Sequence, residues 1–186
     1  MKKMILMAVA AIMVTMSAQA QKMVPGMRME IGESERDHAE FSLFTYMDED
    51  ETFGYYMSLS RVTHVLGIIR DDITDAAFDN IKETCLCLGS TYDEAYAKLG
   101  ELLDLYDQDE MTTVELECRA STGSDRLGEP TTATCIVKKK ALGGKQLMMC
   151  FKSGNKEAHT YLPKQVVKEI RLDLKIDKKL HPKHHR

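Results

Sequence analysis

The sequence predicts an α+β fold, in which one main amphipathic helix packs on a face of an antiparallel sheet of about six to eight strands. Three observations predict this fold. Segments of strand-forming residues occur in both halves of the chain, and a single stretch between them has helical periodicity. The connections after that stretch are too short to hold crossover helices, so the following strands are expected to form an antiparallel meander.

The helix is expected over residues 90–107. Its apolar residues recur at i, i+3, i+4 and i+7, the spacing of one helix face. Thr91 can cap the amino end while Glu94 reaches back to the free backbone amide, which is a capping box. Glu94 and Lys98 are also spaced for an ion pair on the exposed face. The segment is a scaffold, and it carries no chemistry of its own.

The first 20 residues have the pattern of a secretory signal peptide. Two lysines precede an apolar core over residues 4–16, and Ala18-Gln19-Ala20 supplies a small-residue cleavage site. This core is shorter than the roughly 20 residues that cross a bilayer as a helix. We expect cleavage near Ala20 and export of a soluble protein to the periplasm or the extracellular space. No transmembrane segment is expected in the mature chain.

Elements ahead of the helix follow from composition and alternation. Residues 21–36 are polar and irregular, which predicts a flexible lead-in before a single domain at 37–176. Alternating or β-branched runs predict four strands, the first two joined by an acidic turn. These strands are expected at 39–47, 53–59, 62–69 and 83–88. The last is ambiguous, because the apolar residues of 72–88 also suit a helix; we favour a loop or helical turn at 74–80 followed by the strand.

A meander is expected after the helix, with strands at 112–120, 131–140, 145–152 and 158–162. Residues 164–170 predict about one helical turn. Residues 171–176 alternate between charged and apolar side chains and predict a last edge strand, whose charges would discourage pairing with other molecules. The basic segment 177–186 is expected to be a disordered tail.

Five cysteines follow the predicted cleavage site, and export makes a disulfide plausible. If the hairpin after the helix is centred between Arg126 and Leu127, Cys118 faces Cys135 across two strands. If the centre lies one residue earlier, Cys118 faces Ala133 and the two thiols are diagonal. Only the first register permits the cross-strand disulfide Cys118–Cys135. Buried thiols in core positions are the alternative interpretation.

Charge is distributed unevenly along the chain. Residues 33–129 contain 24 acidic and 7 basic side chains, whereas residues 130–186 contain 4 acidic and 14 basic ones. The two parts can neutralise one another inside one fold, or they can form charged contact surfaces. A partner with a basic patch would suit the first part, and an anionic surface or glycan the second. Nucleic acid is not an expected partner, because the basic part lacks interleaved aromatic side chains.

Two polar loops are the predicted contact sites, because exposed hairpin tips often carry function. One is the acidic turn at 48–51, which contains Asp48 and Asp50. The other is the loop at 121–130, which contains Asp125 and Arg126. The acidic turn does not match a calcium loop, since Phe53 stands where such a loop requires glycine. Neither a metal site nor a cofactor is predicted.

No arrangement of nucleophile, base and orienting group stands out in the sequence, so catalytic residues stay unknown. The predicted class is therefore an exported, non-catalytic binding or interaction module of unknown partner. One alternative is an exported hydrolase whose site assembles from dispersed carboxylates and residues such as His64, His159 and Cys85. Another is a structural homo-oligomer, for example a homodimer formed through a sheet edge or the odd thiol.

Overall fold

The computed structural model describes residues 23–36, 39–59, 83–121, 126–140, 143–153 and 156–182. Within them, eight strands form one antiparallel sheet in chain order. The strands are β1 (Arg28–Arg36), β2 (Ala39–Met47), β3 (Phe53–Leu59), β4 (Glu83–Gly89), β5 (Thr113–Ser121), β6 (Leu127–Lys139), β7 (Lys145–Ser153) and β8 (Lys156–Leu162). The helices are α1 (Tyr92–Leu105) and α2 (Lys164–Leu180).

The sheet curves into a half-barrel, and both helices pack against it. Helix α1 contacts β4 and α2, while α2 lies mainly against β1 and also reaches β2 and β7. The α+β class with an antiparallel sheet is confirmed. The expectation of one main helix is wrong, because α2 is the longer of the two.

The larger of two clusters of buried hydrophobic residues in the described part of the chain fills the space between the sheet and the helices. Leu99 and Leu102 from α1, and Ile170 and Leu174 from α2, are fully or almost fully buried there. Burial of a leucine or isoleucine side chain contributes about 1.5–3 kcal/mol, so these contacts hold the helices on the sheet. The hydroxyl of Tyr106 donates a hydrogen bond of 2.6 Å to the Leu162 carbonyl oxygen and ties the end of α1 to β8.

The opposite face of the sheet carries a second, smaller cluster of buried residues. Phe44 and Tyr56 stack with ring centroids 5.7 Å apart, and the Arg28 guanidinium lies 3.7 Å from the centre of the Phe44 ring. Tyr46, Cys85 and other neighbours complete the cluster. Strands β2 to β4 are thus buried on both faces, whereas β5 and β6 alternate buried with exposed residues.

Helix α1 begins as the sequence predicts. The Glu94 amide donates to the Thr91 hydroxyl, and the Glu94 carboxylate accepts hydrogen bonds from the amides of Ser90 and Thr91, which completes the capping box. Because Glu94 is engaged at the cap, Lys98 pairs with Glu101, at 3.0 Å, rather than with Glu94. The hydrogen bonds from Ser90 and then Thr91 lower the pKa of Glu94.

Part of the expected lead-in is ordered structure. Residues 28–36 form β1, which pairs with β2 from Arg28↔Tyr46 to Arg36↔Ala39. The sequence alternation in this strand is weak, and its position depends on partners distant in the chain. One of these is Glu169 of α2, whose carboxylate accepts a hydrogen bond of 2.6 Å from the Ser34 hydroxyl.

The prediction of an edge strand at 171–176 is also wrong, because these residues belong to α2. Helix α2 also includes residues 177–180, which were expected to be part of a disordered tail. The alternation of Leu172, Leu174 and Ile176 favours a strand when it is considered alone. Over a longer window, the buried residues recur at helical spacing instead. They are Val166, Val167, Ile170 and Leu174. Predictions for residues 1–20, 62–69 and 74–80, and for residues 183–186 of the tail, lie outside the described residues.

The contacts between β1 and α2 are expected to weaken at low pH. Hydrogen bonds from Ser34, Arg36 and Gln165 lower the pKa of Glu169 from 4.5 to about 2. The ionised carboxylate therefore stabilises the fold above pH 4.5, and this contribution is lost as the pH falls towards 2. We expect Glu169→Gln to lower the free energy of unfolding by about 1 kcal/mol at pH 7, a value limited by partial solvent exposure.

Chemical denaturation at several pH values tests this prediction. The difference between Glu169→Gln and the unmodified protein should shrink below pH 4.5 and vanish near pH 2. Asp173 is the control, since burial and then the Glu169 charge raise its pKa, and Asp173→Asn should not reproduce the acid-dependent loss. A Glu169→Gln effect independent of pH would show that the carboxylate charge does not hold β1 on α2.

Candidate functional site

A groove opens on the outer face of the sheet where β4 separates from β5. The β4–β5 ladder runs from Glu83↔Ser121 to Leu86↔Cys118 and ends there, although β4 stays paired with β3 as far as Gly89. An irregularity opposite Tyr55, and the positive φ of 128° at Gly89, allow β4 to turn into α1. The last residues of β4 therefore leave β5 and create the groove.

The groove has a volume of about 550 Å³ and extends across β3, β4, β5 and β6. The aromatic and thiol side chains of Tyr56 and Cys87 lie on the same outward-facing side as Glu117. The hydroxyl-bearing residues Thr131 and Thr132 line the β6 side. This lining combines apolar surface with hydrogen-bonding groups, a composition suited to a bound chain segment or a small molecule.

The two predicted contact loops come together beside this groove. Asp48, at the start of the β2–β3 turn, forms an ion pair with Arg119 of β5. Glu49 in the same turn pairs with Arg126, with its oxygen 2.8 Å from the guanidinium nitrogen. The loops thus share one surface. Asp125, the other predicted contact residue of the second loop, lies outside the described residues.

Arg119 is the structural centre of this surface. Its Nε donates a hydrogen bond of 2.7 Å to the Gly128 carbonyl oxygen, and its other nitrogens interact with Asp48 and with the Tyr56 hydroxyl. Burial lowers the pKa of Arg119, but the hydrogen bonds from its guanidinium to Asp48 and Tyr56 outweigh that effect and raise it. Arg119 therefore fixes the β2–β3 turn against β5 and β6 and stays charged.

After these pairings the surface retains negative charge. Asp48 and Glu49 neutralise the two arginines, whereas Asp50, Glu51 and Glu117 form no ion pair within the described part of the chain. Asp50 accepts a hydrogen bond of 3.0 Å from the Thr52 amide, which lowers the pKa of its carboxyl. Its carboxylate is exposed and charged at neutral pH. We call the groove together with these three carboxylates the acidic groove.

The thiol of Cys87, in the acidic groove, is a weak nucleophile at neutral pH. Burial, and secondly the Glu117 carboxylate, raise the pKa of Cys87 to about 11. Only the thiolate is a strong nucleophile, so almost all Cys87 is unreactive at neutral pH. Burial likewise raises the pKa values of Cys118 and Cys135 to about 12. At neutral pH these three side chains are therefore present as thiols.

The Cys118–Cys135 disulfide prediction is wrong. Cys118 faces Thr131 and Cys135 faces Val114, so Cys135 lies four residues from the position opposite Cys118, about 13 Å along the strand. None of the five cysteines, all within the described residues, forms a disulfide. The register differs because β6 begins at Leu127 and β5 is irregular between Arg119 and Ser121, which moves the hairpin centre towards the amino terminus.

Among the residues considered for a hydrolase site, the two that the structure describes, Cys85 and His159, lie far apart. Cys85 is buried on β4, whereas His159 is exposed on β8 beside Tyr161. These strands are four positions apart, which corresponds to roughly 19 Å across the sheet. His64 lies outside the described residues. In the described ranges, no three His, Cys, Asp or Glu side chains are grouped to hold a metal ion.

The loops of the acidic groove are evident from the sequence, whereas the part that Cys87, Glu117 and Arg119 play in it is not. Glu117 and Arg119 were recognisable only as the polar face of an alternating strand. Their role depends on the early end of the β4–β5 ladder, and the only sequence signal for that is Gly89. Comparison of the chain with family models, with curated proteins and with solved structures found no match.

Proposed function

We propose that the protein is an exported, non-catalytic binding module whose acidic groove receives a cationic, extended segment of a partner. The observation that carries this proposal is the position of the groove. It opens beside the ion-paired contact loops, at the end of the β4–β5 ladder. Glu117 lines it, while Asp50 and Glu51 directly precede its lining residue Thr52. None of the three carboxylates has an ion-pair partner in the described residues.

Charge and shape both favour such a segment. Lysine or arginine side chains would meet Asp50, Glu51 and Glu117, and complementary charge increases both encounter rate and specificity. An extended chain also has backbone groups that can face β4 and β5 where the two strands no longer pair. The unreactive Cys87 supports binding rather than turnover.

Export rests on the amino-terminal pattern of residues 1–20. Cell fractionation, followed by amino-terminal sequencing, tests it. A mature chain that begins at or near Gln21 in the exported fraction supports this part of the proposal. An uncleaved protein that stays in the cytoplasm would contradict it, without bearing on the groove.

Binding is tested with fluorescent octapeptides that alternate glycine with lysine, glutamine or glutamate. We expect the lysine peptide alone to bind, with affinity falling as salt is raised. Glu117→Lys should weaken its binding about tenfold or more, because a like charge then faces the peptide. Fluorescence anisotropy at several salt concentrations measures both effects.

Glu115→Lys is the matched control. Glu115 is exposed on the same strand as Glu117 but does not line the groove. Its substitution by lysine changes the net charge of the protein by the same amount. We expect it to weaken binding much less than Glu117→Lys. Equal losses in the two variants would indicate general attraction to a negative protein, and equal binding of all three peptides would exclude a charge-selective groove.

A further inference from the structure

Helix α2 carries an exposed row of large aliphatic side chains. Leu172, Ile176 and Leu180 are 55%, 44% and 68% exposed. Their spacing of four residues places them along one side of the helix, over about 12 Å. Single exposed apolar residues are common on protein surfaces, whereas apolar residues that adjoin one another can form an interaction site.

Three lysines lie on the same exposed surface of α2. At 100° per residue, Lys168, Lys175 and Lys179 all fall within about 60° of Leu172 around the helix axis. All three are exposed, and none forms an ion pair with a residue in the described ranges. The aliphatic row and these lysines together are called the α2 face.

The acidic side chains of α2 are engaged by β1 or by the residue after the helix, although Glu169 also falls about 60° from Leu172 around the helix axis. Glu169 binds Ser34 and Arg36 of β1, and Asp173 lies against Gly32 of the same strand. Asp177 interacts with His181, the residue that follows the helix. The α2 face is therefore positive as well as apolar.

Neighbouring acidic residues of α1 and its following turn are partly neutralised by other lysines of α2. Lys164 pairs with Asp107 at 3.1 Å, and Lys178 approaches Asp93 at 3.5 Å while lying over the Tyr92 ring. These two lysines link α2 to α1 and its following turn, whereas those of the α2 face form no ion pair with a described residue.

We propose that the α2 face docks the protein on an anionic lipid surface. A single convex helix that presents aliphatic side chains beside lysines matches the chemistry of helices lying in a membrane interface. The aliphatic side chains would enter the acyl boundary, while the lysine stems extend their ammonium groups to lipid phosphates. No helix in the described residues is long and apolar enough to cross a membrane.

Flotation with vesicles tests the proposal on the full protein. We expect binding to vesicles that contain about one third phosphatidylglycerol, and little binding to pure phosphatidylcholine. Since one lysine near an anionic membrane contributes roughly fivefold in affinity, changing Lys168, Lys175 and Lys179 together to glutamine should reduce binding by about 100-fold. The same change at Lys138, Lys139 and Lys140, near the β6–β7 turn, should reduce it far less.

The aliphatic row requires its own variant, in which Leu172, Ile176 and Leu180 become serine. Because all three are exposed, the melting temperature should change little while vesicle binding is lost. Equal binding to both kinds of vesicle, or equal losses in the two lysine triples, would overturn the proposal. A concentration-dependent dimer that the serine variant abolishes would also overturn it, since a second copy would then cover the face.

Discussion

Gly89→Ala is expected to lower the free energy of unfolding by about 3 kcal/mol. Gly89 has a φ of 128°, which side-chain-bearing residues rarely adopt. An added Cβ would also lie 2.5 Å from the Glu94 Cβ and 2.9 Å from a Glu94 carboxylate oxygen. The substitution therefore strains the backbone and displaces the residue that caps α1. Urea denaturation measures the loss.

Gly143→Ala is the matched control for this prediction. Gly143 also has a positive φ, of 92°, but an added Cβ there has no atom within 4 Å. It should cost about 1 kcal/mol, the strain contribution alone. If both substitutions cost the same, the contact with Glu94 would contribute nothing and the link between the β4 turn and the α1 cap would be wrong.

Arg119→Met is expected to cost about 2–3 kcal/mol of stability. Methionine keeps much of the buried stem but removes the guanidinium, so the Asp48 carboxylate, the Tyr56 hydroxyl and the Gly128 carbonyl lose a donor. The side chains of Arg119 and Asp48 are only 16% and 22% exposed, so water replaces these bonds incompletely. The β2–β3 turn should also become more mobile.

A double-mutant cycle with Asp48→Asn isolates the ion pair. In the unmodified protein Asp48→Asn should cost 1 kcal/mol or more, whereas in the Arg119→Met background it should cost almost nothing. Amide exchange of the turn at 48–52 gives a second, local measurement. Additive losses in the cycle would show that Asp48 and Arg119 do not stabilise the turn through each other.

The elements that the sequence predicted correctly are those with local signals. The capping residues Thr91 and Glu94 define the start of α1, and the acidic turn separates two alternating strands that form as predicted. The predictions for residues 28–36 and 171–180 were wrong because β1 and α2 form in contact with each other. Ser34 and Arg36 meet Glu169 across more than 130 residues, and no local pattern contains that contact.

The site was predictable only in part for the same reason. Asp48 and Arg126 stand in loops, and loops are evident from composition. The pairing of one loop with the other, and the end of the β4–β5 ladder, depend on strand register. The centre of the β5–β6 hairpin lies a few residues from the position that a Cys118–Cys135 disulfide requires, so the two cysteines do not face each other. Register is set by tertiary packing and turn geometry, so a single sequence determines it weakly.

The most direct test of the acidic groove is a titration of the isotope-labelled protein with the lysine–glycine octapeptide, followed by backbone amide chemical shifts. We expect saturable shifts at Cys87, Gly89, Glu117 and Thr132, on the two sides of the gap between β4 and β5. The shifts should disappear in Glu117→Lys and persist in Glu115→Lys. Shifts distributed over the whole acidic surface, or unchanged in Glu117→Lys, would contradict the assignment of this groove as the binding site.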